Sequence, residues 1–244
     1  MCGILCVLQS GDAEVDCSAV PLPESESAVS VCAAGDVDDF LPSLRRRGPD
    51  GVEQARFAAG RAELLLVASL LQLRGAAAVP ALRRGNCGSA LCWNGEVFGG
   101  SLGVAEDGND GSVLLDALLA TPEAVPAVLS RVRGPWALVF FHQPSETLWF
   151  GRDVLGRRSL LLQRPRPDSP RLLLSSSVPL AGPLGCWEEL PPGVYSLDLN
   201  AAALQVKRHP SSPHLPRYHS FAAQLSVSRV TGCTADTWAR RDFV

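Results

Sequence analysis

A mixed α+β fold, with β-sheets packed face to face and helices on the outside, is what this sequence predicts. Strand-like runs stand before and after a central helical block, rather than in strict β-α alternation. Some of those runs are apolar throughout, the pattern of strands buried on both faces. The chain, at 244 residues with 46% hydrophobic and 19% charged side chains, has ample material for a core and the balance of a soluble globular protein.

Residues 3–8 form a short apolar run with β-branched members and read as a buried strand that draws Cys2 toward the core. From 10 to 26 the chain turns acidic and loop-like. Asp36 is placed to cap a helix over 37–46, which must stop at Arg47-Gly48-Pro49-Asp50-Gly51, although Pro42 interrupts it. Strands follow at 52–58 and 63–73, and the second suits a buried helix equally well by periodicity. After a Gly/Ala/Arg-rich loop, residues 89–93 read as a strand ending at Asn94-Gly95-Glu96. Helices are predicted from Asp110 to Ala120, with Val113, Leu114, Ala117 and Leu118 at helical spacing, and over 123–131, with Pro122 suited to the first turn. Residues 135–142 and 148–150 flank a polar turn as a hairpin, and strands fit 159–163, 171–175, 194–199 and 203–206. From Pro210 the pattern stops, and residues 206–244 are expected to form an irregular tail.

The bulk properties exclude several classes. The net charge of −3 gives no basic field for nucleic acid, and Lys207 is the single lysine. The 8 cysteines form no Cys-x-x-Cys pair and lie far from His142, His209, His214 and His219, so no metal and no cofactor are expected. No apolar run approaches bilayer length, no basic leader precedes the first one, and free thiols suit a reducing compartment. A cytoplasmic protein without a membrane partner is expected.

Chemistry concentrates at Cys2. Removal of Met1 leaves one residue with a nucleophilic thiol and an α-amine whose ordinary pKa, near ~8, lets it take and return a proton. Thiol attack on an amide creates an oxyanion needing two donors. Asn94 offers a side-chain amide and Gly95 a backbone N–H without a Cβ in the way, although Asn-Gly is also the commonest two-residue hairpin turn. For an amino-acid substrate, Asp110 can take the ammonium or simply cap its helix, with Glu96 assisting. A carboxylate calls for arginine, and Arg74 and Arg47 are the positional candidates.

Taken in order, Met1-Cys2-Gly3-Ile4, Arg46-Arg47-Gly48-Pro49-Asp50, Trp93-Asn94-Gly95-Glu96-Val97-Phe98, Gly134-Pro135-Trp136-Ala137 and Gly151-Arg152-Asp153 through Leu160 resemble the class II glutamine amidotransferases. These are the N-terminal-nucleophile (Ntn) glutaminase domains of asparagine synthetase and its relatives. Ser175-Ser176-Ser177 and Glu189-Leu190-Pro191-Pro192-Gly193-Val194-Tyr195 extend the likeness, which covers roughly residues 2–200.

The resemblance implies a four-layer αββα sandwich of Ntn hydrolase type over 2–205. It implies a chain starting at Cys2, whose thiol attacks the side-chain amide of glutamine and releases ammonia for asparagine biosynthesis. Asn94 and Gly95 match the oxyanion hole, and Glu96 and Asp110 match positions contacting the backbone groups of glutamine. Three departures stand out. Leu71, in Leu70-Leu71-Gln72, occupies the place of the family's carboxylate-binding Arg, with Arg74 three residues on; Ser159 replaces a Pro; and no Ser-Gly-Gly-x-Asp-Ser phosphate loop is present. No ATP-dependent synthetase activity is therefore expected of this chain, and an ammonia-accepting synthetase partner is left unidentified. The competing expectation is a glutaminase fold retained as an interaction or regulatory module without turnover.

Overall fold

The structure, a computed structural model, describes residues 2–11, 13–21, 37–73, 79–99, 102–104, 108–167, 169–180 and 187–210. The chain begins with β1 (Gly3–Ser10), β2 (Val15–Asp16), α1 (Val37–Arg47), β3 (Gly51–Ala59) and β4 (Ala62–Leu70). It continues through β5 (Arg83–Arg84), β6 (Ala90–Gly95), α2 (Asp110–Ala120), a 3-10 turn at Pro122–Ala124 and α3 (Val125–Ser130). Then come β7 (Trp136–His142), β8 (Thr147–Arg152), β9 (Leu161–Gln163), β10 (Arg171–Ser175), β11 (Glu188–Glu189), β12 (Gly193–Asp198), β13 (Leu204–Gln205) and β14 (Lys207–His209). Asp36, which the sequence offers as the cap of α1, lies outside the described residues, as do Arg74 and residues 211–244.

Two six-stranded sheets result, β11-β9-β10-β1-β4-β3 and β14-β12-β8-β7-β6-β5, in which the neighbouring strands pair antiparallel. Their inner faces make the main core. Ile4, Cys6 and Leu8 of β1 and Leu64, Leu66 and Ala68 of β4 meet Ala90 and Cys92 of β6 and Ala137, Val139 and Phe141 of β7. The alternate residues face helices. Leu5, Val7, Leu65 and Val67 pack under Phe40 and Leu44 of α1. Leu91, Trp93, Leu138 and Phe140 pack under α2 and α3 through Leu114, Leu118, Val125 and Leu129. The continuous apolar runs are thus strands covered on both faces, each fully buried Leu or Phe contributing about 1.5–3 kcal/mol. Four layers, αββα, follow directly.

The run at 63–73, open between helix and strand by periodicity, is β4, which pairs with β1 on one side and β3 on the other and ends at Leu70. The loop expected over 10–26 contains β2. Its partner is β13, in a two-stranded parallel ladder apart from both sheets, so the strand read at 203–206 does not join the sandwich. The second sheet also runs past the boundary expected at 205, because β14 pairs with β12 from Val194 to Ser196.

Candidate active site

Residue parity aims the thiol. Cys2 shares the inward face of Ile4 and Cys6 and packs against the inter-sheet core at the end of β1. The approach is held by hydroxyls: the Gly3 N–H donates to Ser69 Oγ (2.9 Å), whose own hydroxyl donates to Leu44 O (2.7 Å). The Ile4 N–H donates to Ser176 Oγ (2.9 Å), and Ser159 Oγ donates to Ser176 O (2.8 Å), giving Ser159 a bracing role. Arg47 Nε lies 3.4 Å from Cys2 O, so this carboxylate candidate grips the nucleophile's own backbone. The thiol faces Leu71, with Sγ 3.5 Å from Leu71 N and 3.8 Å from Leu71 O.

The segment Gly151–Leu160 supplies the frame beside it. Buried Arg152 donates to Arg158 O (2.7 Å) and Leu190 O (2.9 Å), contacts Gly156 O, and pairs with Glu189 (2.7 Å). Asp153 accepts the N–H of Trp136 (3.0 Å) and of Leu155 (3.1 Å). The loop is thereby fixed to the start of β7, and Arg158 is set on the cavity wall.

Asn94 and Gly95 lie inside β6, paired with Ala137 and Trp136, and do not form the hairpin turn their dipeptide allows. Asn94 has the parity of Ala90 and Cys92, so its side chain enters the inter-sheet space that Cys2 faces. It is 1% exposed, and its Nδ2 has no hydrogen-bond partner among the described residues. The Glu96 N–H donates to Pro135 O (3.0 Å). Hydrogen-bonded and open pairs alternate along an antiparallel ladder, so the Gly95 N–H points away from β7. A Cβ on Gly95 would lie 2.5 Å from Trp93 Cζ2 and 2.9 Å from Pro135 O, so the glycine is also demanded by packing.

The third wall is the start of α2. The sequence leaves Asp110 open as a helix cap; the cap is Asn109, whose Oδ1 accepts from Ser112 N (3.1 Å). Asp110 is therefore released from capping. Its Oδ2 accepts the Val97 N–H (2.8 Å), and its buried Oδ1 has no partner among the described residues. Asn109 Oδ1 also accepts from Arg83 Nε (3.2 Å) and Nη2 (3.0 Å).

These walls enclose a cavity of about 140 Å³ lined by Cys2, Asn94, Gly95, Glu96 and Asp110 together with Leu71, Arg83 and Arg158. Five of the six site residues expected from sequence thus share one cavity, and the sixth, Arg74, lies outside the described residues. Arg83 and Arg158 are not among the site residues that the sequence offers. Arg83 sits in a two-residue strand within a stretch that reads as loop, and it is covered by the first turn of α2, distant in sequence, so no local signal marks it. Burial pulls the Arg83 guanidinium below its ordinary value, partly offset by the charges of Cys2 and Glu53. Arg47 is lowered likewise, first by burial and then by Arg158, with Cys2 acting in the opposite sense. Both remain cations at neutral pH. Among the described residues no group of three or more His, Cys, Asp or Glu side chains is placed to hold a metal ion.

No family model matches the chain. Over 170 residues it is 37% identical to asparagine synthetase domain-containing protein 1 of Mus musculus, covering 68% of this chain and 27% of that protein. Against the Gallus gallus protein of the same name the identity is 31% over 208 residues, 83% of this chain and 30% of the relative. The chain thus spans less than a third of the length of these curated relatives. Among solved structures it superposes on glutamine phosphoribosylpyrophosphate amidotransferase from B. subtilis with a TM-score of 0.53 at 14% identity, covering 84% of this chain and 49% of the other. That likeness places the sandwich among Ntn-type folds.

Proposed function

We propose that this chain, a homologue of asparagine synthetase domain-containing protein 1 with an Ntn-type fold, is a glutaminase-type domain that hydrolyses glutamine to glutamate and ammonia. The observation that carries the reading is that the Cys2 thiol and the unpartnered Asn94 amide line one cavity from opposite sheets.

In the reaction Cys2 Sγ bonds to the side-chain amide carbon of glutamine. The negative charge moves to the amide oxygen, where Asn94 Nδ2 and the Gly95 N–H receive it. The α-amine of Cys2, freed by removal of Met1, takes the thiol proton and passes it to the amide nitrogen. The C–N bond breaks and ammonia leaves. Water then adds to the γ-glutamyl thioester, Sγ departs with a proton returned to it, and glutamate is released. Asp110 Oδ1 takes the substrate ammonium, with Glu96 beside it. The glutaminase unit would occupy residues 2–205, with the sheet completed by β14, and its ammonia would pass to a synthetase-type partner serving asparagine biosynthesis.

The test is intact mass after incubation with 6-diazo-5-oxo-L-norleucine, combined with a glutamate-release assay. The expected result is a single adduct on a chain that starts at Cys2, absent from Cys2→Ala, which also loses all glutamine hydrolysis. Retention of Met1, or an unlabelled Cys2, would replace this reading with that of a glutaminase fold serving as an interaction module, for which Leu71 at the carboxylate-binding position is the supporting observation.

A further inference from the structure

We infer that Arg83, with its guanidinium set by Asn109, holds the α-carboxylate of the amino-acid substrate in the cavity of Cys2, beside Asp110 as receptor of the ammonium. The inference rests on the glutaminase reading and supplies the group that Leu71 cannot.

Arg83 is only 6% exposed yet lines the cavity. A buried guanidinium calls for an anion or a full set of acceptors for its five N–H groups. Among the described residues it donates from Nε and Nη2 to the single neutral oxygen of Asn109, and Nη1 has no partner. Glu53 acts on it electrostatically, but that carboxylate is engaged with the Leu82 N–H (3.4 Å) and makes no ion pair with it. Its place is electrostatically adverse as well. Arg83 is bonded to the cap of α2, at a helix N-terminus whose dipole disfavours cations and favours anions. An anion in the cavity would answer the guanidinium and the helix end together.

The geometry narrows the class of anion. An α-amino acid carries its ammonium and carboxylate on one carbon, so receptors for the two must be neighbours that do not neutralise each other. Arg83 and Asp110 meet this condition. Asn109, bonded to Arg83, directly precedes Asp110, and Arg83 Nη1 and Asp110 Oδ1 are each without a partner among the described residues. The arrangement is also held close. A Cβ at Gly111 would stand 3.1 Å from Arg83 Nε and 3.5 Å from its Nη2, so the first turn of α2 lies directly against the guanidinium. Arg158 lines the same cavity, and its Nε is also without a partner among the described residues, but it is half-buried, follows β8 and acts on Arg47, whereas Arg83 is bonded to the residue that precedes Asp110.

The experiment uses the full chain carrying Cys2→Ala, so that ligands bind without turnover, and calorimetric titration with three ligands. These are glutamine, 4-aminobutyramide (glutamine without its carboxylate) and glutaramate (glutamine without its ammonium). Arg83→Met is expected to weaken glutamine on the order of 30-fold or more while leaving the weaker 4-aminobutyramide unchanged. Arg83→Lys, which keeps the charge but not the fork, should fall between and carries the comparison where Arg83→Met does not fold. Arg158→Met should change the glutamine affinity by less than threefold. Unchanged glutamine affinity in both Arg83 variants, or the large loss appearing in Arg158→Met, would overturn the assignment while leaving the glutaminase reading intact. Absence of glutamine binding to the parent, together with an unlabelled Cys2 in the unaltered protein, would overturn both.

Discussion

Replacing Asn94 with leucine separates a catalytic amide from a structural one, because the two roles predict opposite signs for stability. Leucine has the same branching and number of side-chain heavy atoms, and the adjoining cavity of about 140 Å³ can take up its larger methyl groups. In the parent, Nδ2 is buried without a partner. An unmatched buried donor costs about 1–3 kcal/mol, and the substitution removes that cost without orphaning any other group. For a chain of this size each kcal/mol shifts Tm by roughly 2–4 °C, so Asn94→Leu should melt at least about 2 °C higher by scanning calorimetry. Glutamate release should fall about 10²–10³-fold, the usual consequence of losing one oxyanion donor. Stability and activity moving in opposite directions is the mark of a group kept for chemistry. A Tm lowered by several degrees, with hydrolysis retained, would refute the reasoning and make the Asn94 amide part of the scaffold.

Gly95→Ala tests the packing of the same dipeptide: its methyl would meet the buried Trp93 ring at 2.5 Å and a fixed carbonyl oxygen at 2.9 Å, and overpacking of this kind destabilises by about 1–3 kcal/mol. A urea midpoint equal to that of the parent would contradict this close approach. His142 and His209 are both held below the ordinary imidazole value by burial, and His209 further by Lys207. Between the unfolded value near ~6.5 and the lower folded values the unfolded chain binds more protons, so stability rises with pH through that window and is lost as pH falls. Tm should therefore drop from pH 7.5 to pH 5, with a shallower slope in the His142→Gln, His209→Gln double variant; equal slopes in the two proteins would remove these imidazoles as the cause.

The parts of the fold that a sequence can announce are those whose pattern is local. β1 and β4 are legible because strands covered on both faces need unbroken apolar runs. α2 is legible from Asp110 to Ala120 because Leu114, Ala117 and Leu118 keep helical spacing and a polar segment precedes it. β2, β5, β11 and β14 are two or three residues long and have no period to read; pairing partners, not propensity, make them strands. The site divides in the same way. Cys2, Asn94 and Asp110 stand at the ends of periodic elements, where parity and motif locate them. Asn94-Gly95 shows the limit, since only the pairing of Gly95 with Trp136 decides for strand against turn. Arg83 is not legible in the sequence because nothing local distinguishes it from Arg84, its exposed neighbour. What buries one and not the other is the pleat, which turns Arg83 to the face covered by the first turn of α2 and Arg84 to the opposite one, a placement set by residues 26 and more along the chain.

The distribution of unmatched polar atoms bears on whether this fold is a working site or a retained shell. Folded proteins satisfy the great majority of their buried polar groups. Among the described residues the buried side-chain atoms without a partner include five, Arg83 Nη1, Trp93 Nε1, Asn94 Nδ2, Asp110 Oδ1 and Arg158 Nε, that belong to residues lining the cavity of Cys2. At about 1–3 kcal/mol each, these five are a burden comparable to a good part of the stability of a typical domain. A scaffold serving only as an interaction surface would be stabilised by filling such positions with apolar groups. On the proposed reading three of the five complement one molecule: an amide oxygen for Asn94, an ammonium for Asp110 and a carboxylate for Arg83. That match argues for binding of an amino-acid amide. Turnover depends on a separate condition, a free α-amine on Cys2, which is why the mass of the processed chain and the affinity of the Arg83 variants address different halves of the mechanism.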